Sequence, residues 1–385
     1  MVKNRGHVET LAVHAGREIE AATGAVAPAI HLSTTYERDI DGGYSRGHEY
    51  ARDSNPNRSL LERALATLEG GQACAAFSSG SAATLAVFSA VGQGGHIVAT
   101  EDSYRGTLFQ LGNLVPDMGP QVTLADTTRV DSVRAALRDN TRLIWVETPS
   151  NPLLRISDIT AITTLARQHG CRVACDNTFA SPVFQQPLAL GADLAMHSTT
   201  KYISGHGDVV GGAVITAQED DFFAAVREWQ TKGGAIPSAF DCWLLLRSLN
   251  TLPLRIRQQA QNAMLLAEFL SGQPQVSAVH YPGLPGHPSH AIAARQMAAD
   301  GVARFGGVLS FEVKGGAENA MRVAAHVRLF TRATSLGGVE SLIEHRASRE
   351  GPGSNAPAGL LRLAVGIEHH QDLVDDLDQA LRAIS

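Results

Sequence analysis

Three short apolar runs in the middle of this 385-residue chain each end in residues able to do chemistry. Leu143–Val146 leads into Glu147-Thr148-Pro149-Ser150-Asn151-Pro152, Val173–Cys175 into Asp176-Asn177-Thr178, and Leu194–His197 into Ser198-Thr199-Thr200-Lys201. Ligands of open parallel sheets bind beyond the C-terminal ends of the strands, so as neighbouring strands these runs deliver an acid, an amide and a lysine to one rim. Each residue alone could serve as a turn former or cap. Together they match the needs of pyridoxal chemistry. A lysine amine must condense with the cofactor aldehyde, and Lys201 is the candidate. A carboxylate must keep the pyridine nitrogen protonated so that the ring can accept electrons, a role for Asp176. A phosphate must be held as well. Ser79-Gly80-Ser81 opens an apolar helix with free N–H groups and a favourable dipole. Gly80 lets the backbone approach closely, and Ser198 and Thr200 add hydroxyls. Neither a Walker loop nor a full dinucleotide-binding fingerprint is present.

The elements that must position these residues read as an α/β protein. Residues 1–48 look like an extended arm, rich in turn residues and with little helical periodicity. Arg58–Leu68 and Ser81–Val91 are helix-like, the first with Leu60, Leu61, Leu65 and Leu68 at amphipathic spacing. His96–Ala99, Val122–Ala125 and the three runs above are separated by helix-length segments, the pattern of a mostly parallel sheet. After Arg247 the texture changes. A long helix over Leu252–Leu270, a strand at Val308–Val313 and helices at Ala317–His326 and Gln371–Ile384 suggest a second, smaller unit. The expected division is an arm (1–48), a cofactor-binding domain (49–247) and a C-terminal domain (248–385). Such a length exceeds the roughly 250–300 residues at which single cores stop growing.

Bulk properties exclude several classes. The chain is 44% hydrophobic and 18% charged, with a net charge of −6 and scattered rather than clustered Lys and Arg. That argues against nucleic acid or an anionic membrane as the main partner. No stretch reaches the roughly 18 apolar residues of a membrane helix, and Met1–Glu20 has no apolar signal core, so a cytoplasmic protein is expected. Cys74, Cys171, Cys175 and Cys242 are too few for a disulfide framework and read as buried packing. His287-Pro288-Ser289-His290 and His369-His370 read as a loop and a helix start, and no metal is expected.

The motifs, taken together, resemble the Cys/Met-metabolism pyridoxal-phosphate enzymes, a family that includes cystathionine γ-synthase, cystathionine β- and γ-lyases and methionine γ-lyase. The resemblance runs nearly end to end. It is carried by Thr10–Gly16, Glu49-Tyr50-Ala51-Arg52, Asn55-Pro56, Ser78-Ser79-Gly80 and Asp176–Ala180. His197–His206, Ser335–Glu340 and Leu361–Glu368 complete it. It implies pyridoxal 5′-phosphate as cofactor and a fold-type-I architecture. It also implies a homo-oligomer, a dimer of dimers, whose active sites are shared between subunits. On this resemblance Lys201 holds the cofactor and moves protons, Asp176 meets the pyridine nitrogen and Tyr104 stacks on the ring. Gly80, Ser81, Ser198 and Thr200 hold the phosphate, reached by Tyr50 and Arg52 of the neighbouring subunit. Arg362 clamps the substrate α-carboxylate, while Asn151 and Ser335 orient cofactor and carboxylate.

Departures from the family pattern bear on the substrate. Relatives that handle cystathionine commonly carry an arginine five residues after the ring tyrosine; here Phe109 stands there. Glu49 precedes Tyr50, as in γ-lyases whose acid meets a distal amino group. An acid without its arginine suggests a cationic tail, as in canavanine, beside the cystathionine-type substrates of the family. Methionine γ-lyases place a cysteine two residues after the ring tyrosine, where this chain has Gly106. The loop between His345 and Arg362 is shorter than in most relatives, and Arg346–Ala358 lacks their pattern. The expected activity is a lyase performing γ- or β-elimination on an amino acid with a heteroatom side chain. The alternative is a γ-replacement transferase, a cystathionine γ-synthase or O-acylhomoserine sulfhydrylase. A non-catalytic binding protein is disfavoured by the intact Lys201, Asp176 and Arg362.

Overall fold

The apolar runs form strands, and two strands not expected from the sequence join them. The computed structural model describes residues 6–351 and 356–384. Among these, seven strands make the larger sheet: β1 Ala73–Phe77, β2 His96–Thr100, β3 Gln121–Ala125, β4 Thr141–Glu147, β5 Arg172–Asp176, β6 Leu194–His197 and β7 Gly212–Thr216. Their order is β1-β7-β6-β5-β4-β2-β3. Strands β2 to β6 are mutually parallel, and β7 runs antiparallel to both its neighbours. Every residue of β2 is buried, as expected for a strand covered on both faces. The large core residue Trp145 on β4 packs edge-on against Phe88, with ring centroids 4.9 Å apart.

Helix boundaries follow local chemistry. Helix α1 spans Val8–His14, within the arm read from sequence as lacking helix, and only Ala12 of it is buried. Helix α2 spans Pro56–Glu69. The Asn55 side chain accepts from the N–H groups of Asn57 and Arg58, Pro56 sits in the first turn, and Gly70 closes the helix at φ 71°. Helix α3, Gly80–Ser89, is capped by Ser79 and follows β1 directly. A short helix α4, Arg105–Phe109, begins after Tyr104.

A second sheet of five strands has the order β10-β11-β12-β9-β8. Its members are β8 Val276–His280, β9 Val308–Val313, β10 Thr331–Arg332, β11 Leu342–His345 and β12 Leu360–Ala364. The helices Leu252–Ser271, Gly316–His326 and His370–Arg382 pack against it around Phe311, Leu309 and Leu361. All four cysteines are buried and free, and burial raises each thiol pKa. No helix among the described residues is long and apolar enough to cross a membrane. Part of the loop between His345 and Arg362, residues 352–355, lies outside the described residues.

Candidate active site

The parallel strands put Glu147 and Asp176 side by side at the ends of β4 and β5, in direct register. Lys201 follows β6 by one turn, and its N–H donates to the carbonyl of Ser198 at 3.1 Å. All three line one cavity, with Ser79, Gly80, Ser81, Tyr104, Asn151, Ser198, Thr200, Ser335 and Arg362 also in its wall.

Lys201 is held at its tip. Its Nζ donates to Ser335 Oγ at 2.9 Å. Burial, reinforced by the charge of Arg362, brings its pKa down to about 8, which leaves more free amine near neutrality. Ser335 sits at φ 92°, a left-handed conformation unusual for a residue with a side chain. Two residues on, Gly337 has φ 81°, and a Cβ there would stand 2.6 Å from Tyr202 N. Only glycine lets this loop press onto the lysine segment.

Asp176 is fixed by Thr178, whose N–H and Oγ1 donate to Oδ1 at 3.0 and 2.5 Å. Burial raises its pKa, while the Thr178 hydrogen bonds and the charges of His197 and Lys201 oppose that rise. Beneath it, His197 pairs with buried Glu69, which also accepts from Asn177 Nδ2 at 2.8 Å. Glu147 is pushed well above the usual carboxylate range by burial and by the neighbouring Asp176. Its Oε2 accepts from Tyr104 N at 2.8 Å, so the loop carrying Tyr104 is tied to the strand end. Tyr104 is 47% exposed, and a Cβ on Gly106 would lie 2.4 Å from its Cε1.

The phosphate cradle has the expected parts. A Cβ on Gly80 would stand 2.9 Å from Ser198 Cβ, so the start of α3 touches the loop after β6 with no room for a side chain. Thr200 Oγ1 exchanges hydrogen bonds with Gly211, accepting from its N–H at 3.0 Å and donating to its carbonyl at 3.2 Å. On the facing side, Arg362 of β12 is 3% exposed. It donates to Asn151 Oδ1, the Ser335 carbonyl and Glu344 Oε2, each at 3.0 Å. Burial lowers its pKa to about 10, still charged at neutral pH.

Glu49, Tyr50 and Arg52 do not join this constellation within one chain. Tyr50 is 42% exposed, and Arg52 donates to the Thr231 carbonyl at 2.8 Å. Two charged residues in the wall, Glu147 and Arg346, were given no role from sequence. Glu147 was visible as the acid ending its strand; Arg346, which follows β11, opens the segment that lacks the relatives' pattern.

The residues present fit pyridoxal phosphate: a half-buried amine of lowered pKa, a half-buried carboxylate at the end of the neighbouring strand, and a helix start with no room for a Cβ beside two hydroxyls. When bound, that group withdraws electrons from the substrate Cα and makes its proton acidic.

The family model described as "Cys/Met metabolism PLP-dependent enzyme" matches residues 9–382. The chain is 48% identical over 380 residues to a cystathionine gamma-synthase of Mycobacterium tuberculosis, covering 97% of this chain and 96% of that one. It is 41% identical over 389 residues to a cystathionine gamma-lyase of Sus scrofa, covering 98% and 94%. The crystal structure of metB from Corynebacterium glutamicum superposes with a TM-score of 0.95 at 42% identity, covering 99% of both chains. That of a cystathione gamma lyase (CalE6) from Micromonospora echinospora gives 0.92 at 44% identity, covering 98% of this chain and 100% of that one. A matched family over nearly the whole length, a shared fold and a cavity that fits the cofactor agree: this chain belongs to the pyridoxal-phosphate-dependent enzymes of Cys/Met metabolism.

Proposed function

We propose that this enzyme expels a heteroatom-linked group from the γ (or β) carbon of an amino acid, as a lyase acting on cystathionine-type substrates. The observation that carries this reading is the chain Lys201–Ser335–Arg362. One residue accepts from the lysine through its hydroxyl and from the arginine through its carbonyl. A substrate whose α-carboxylate is clamped by Arg362 thereby presents its Cα to the Lys201 amine, which takes the Cα proton and returns it further along the side chain. Tyr104 covers the ring, Asp176 meets the pyridine nitrogen, and Gly80, Ser81, Ser198 and Thr200 hold the phosphate. Asn151 orients Arg362 through their hydrogen bond.

A second reading, γ-replacement by a thiol, is supported by the 48% identity to a cystathionine gamma-synthase. Both readings share every step up to departure of the side-chain group, and the residues named serve either. The cationic-tail reading depends on Glu49, which is exposed and outside the cavity wall of this chain. It therefore requires Glu49 to arrive from a second subunit. Tyr50 and Arg52, equally outside the wall, support an active unit of at least two chains, assembled as a dimer of dimers. Four unpaired cysteines fit a cytoplasmic setting.

The test is a substrate panel on the purified protein: cystathionine, methionine, cysteine, an O-acylhomoserine and canavanine, each with and without added thiol. A lyase releases a 2-oxoacid and ammonia from its own substrate without thiol; a transferase makes thioether from the ester only when thiol is added. A protein that takes up no cofactor and gains no visible absorbance refutes both.

A further inference from the structure

Tyr50 and Arg52 are proposed to complete a neighbour's site, and they stand on a turn that belongs to no helix or sheet. Thr35 and Tyr50 form an isolated antiparallel bridge, and the Tyr50 carbonyl accepts from the N–H groups of Asp53 and Ser54, each at 2.9 Å. The Arg52 guanidinium lies over the Tyr50 ring, 5.6 Å from its centroid, so the two side chains are presented together. A turn held so lightly needs a further tie if it is to deliver two groups to one fixed point.

Arg58 supplies that tie. It lies in the first turn of α2 and is 3% exposed. Its Nη1 donates to the Ala51 carbonyl at 3.0 Å and its Nη2 to the Arg52 carbonyl at 3.1 Å. A planar fork offers two fixed donors to two successive carbonyls, which a lysine ammonium does not. A guanidinium buried this deeply is costly unless it is paired. Its Nε lies 4.0 Å from Oε1 of Glu62, one turn further along α2. Glu62 is fastened in turn, accepting from Ala76 N of β1 at 2.9 Å and from Gln230 Nε2 at 2.6 Å. The turn is thereby tied through Arg58 to the frame of the larger sheet. Arg58 itself forms no part of the cavity wall in its own chain.

We infer that Arg58 is a positioning residue for the active site of the neighbouring subunit. It fixes the turn carrying Tyr50 and Arg52, so its loss is felt in the partner's cofactor site rather than in the site of its own chain. The inference rests on the proposed function, which has Tyr50 and Arg52 reach the phosphate held by a second copy. It gives a task to a buried cation that touches neither cofactor nor substrate.

The test follows cofactor binding in mixed oligomers. Only chains that keep Lys201 give the lysine-bound absorbance, so titrating the protein with pyridoxal phosphate reports which site fills. Arg58→Lys keeps a cation beside Glu62 but loses the fork, and Arg58→Met removes both donors. Melting temperature checks that each is folded, and Arg58→Lys, the milder change, carries the comparison should Arg58→Met not fold. Each is expected to bind cofactor roughly tenfold more weakly than wild type. Co-expressed with Lys201→Ala chains, the Arg58→Lys chain should regain a phase of wild-type affinity, because its Lys201 then meets an unaltered turn from the partner. Co-expressed with Arg52→Ala chains it should not, because every site receives a damaged turn. A general loosening of the fold does not follow this pattern. Arg52→Ala paired with Lys201→Ala is the control for the shared site. If that control recovers while Arg58→Lys with Lys201→Ala does not, or if the Arg58 variants bind as wild type, the inference is overturned and the shared site stands. If the control itself fails in verified mixed oligomers, the shared site falls, and the inference with it.

Discussion

At the scale of single residues, the site depends on what burial does to charge. Lys201 loses its proton at about 8 rather than near the ordinary lysine value, chiefly because it is desolvated. The neutral amine is the form that attacks an aldehyde. Cofactor capture by the apoenzyme should therefore speed up as pH rises, then level off above about 8, falling about tenfold per unit below it. Stopped-flow absorbance against pH reads this directly, and a rate still climbing at pH 10 contradicts it. Replacing the amine outright, Lys201→Ala, should abolish the lysine-bound absorbance and lower turnover by on the order of 10²–10⁴-fold or more. Arg362 is a different case, since its charge survives burial. Arg362→Gln leaves Glu344 facing the guanidiniums of Arg346 and Arg349 alone and removes the carboxylate clamp. The expected result is a loss of about 10- to 100-fold in kcat/KM, expressed mainly through KM, with the cofactor spectrum retained. Most of these residues were legible in the sequence because strand ends deliver them in a recognisable order. Arg346 was not, because an arginine in a segment that departs from the family's pattern gives no sign of which way it faces.

At the scale of elements, close approach without side chains decides the geometry. The start of α3 abuts the loop after β6 at Gly80, where a Cβ would meet Ser198 Cβ at 2.9 Å. Gly80→Ala should spread the two segments that hold the phosphate and weaken cofactor affinity by roughly tenfold, within the cost range of overpacking. Equilibrium titration of apoenzyme with cofactor measures it, and an unchanged affinity means that the cradle tolerates the spread. The helix cap at Asn55 makes a contrasting prediction. Its side chain caps α2 and donates to the His31 carbonyl, outside the cavity wall, so Asn55→Ala should cost about 1 kcal/mol of stability with kcat unaltered. Legibility was uneven at this scale. Strands β2, β4, β5 and β6 are apolar and turn-bounded, and their assigned ends fall close to those observed. Strand β1 reads Ala-Cys-Ala-Ala-Phe, alanine-rich and poor in β-branched residues, so propensity alone does not mark it. It is a strand because it pairs along its whole length with β7, a contact between residues far apart in sequence. Helix α1 was missed for the opposite reason: it is one short segment with a single buried residue and no side-chain cap.

At the scale of the whole molecule, the two sheets divide the labour. Most residues proposed for the cofactor stand at strand ends, helix starts and loops around the larger sheet, whereas Arg362 belongs to β12 of the smaller one and Ser335 and Arg346 flank its β10 and β11. Tyr50 and Arg52 lie outside the cavity wall, and the proposal that they complete a neighbour's site can be checked by mixing. Inactive Lys201→Ala and weakened Arg52→Ala chains, refolded together, should recover activity that neither has alone, because one hybrid site in each pair is intact. No recovery, with mixed oligomers verified by mass spectrometry, would mean that each chain works alone. Partnership of this kind was legible only through family resemblance, since one chain's sequence does not mark which exposed side chains a second copy covers. The four cysteines bear on how such experiments could be run. All are buried, and burial holds each thiol in its protonated, unreactive form. To a thiol-directed dye the native surface is blank. One cysteine installed at an exposed position such as Val302 would be the sole point of labelling, and exchange of subunits between differently coloured pools could then be followed by fluorescence without removing any native residue.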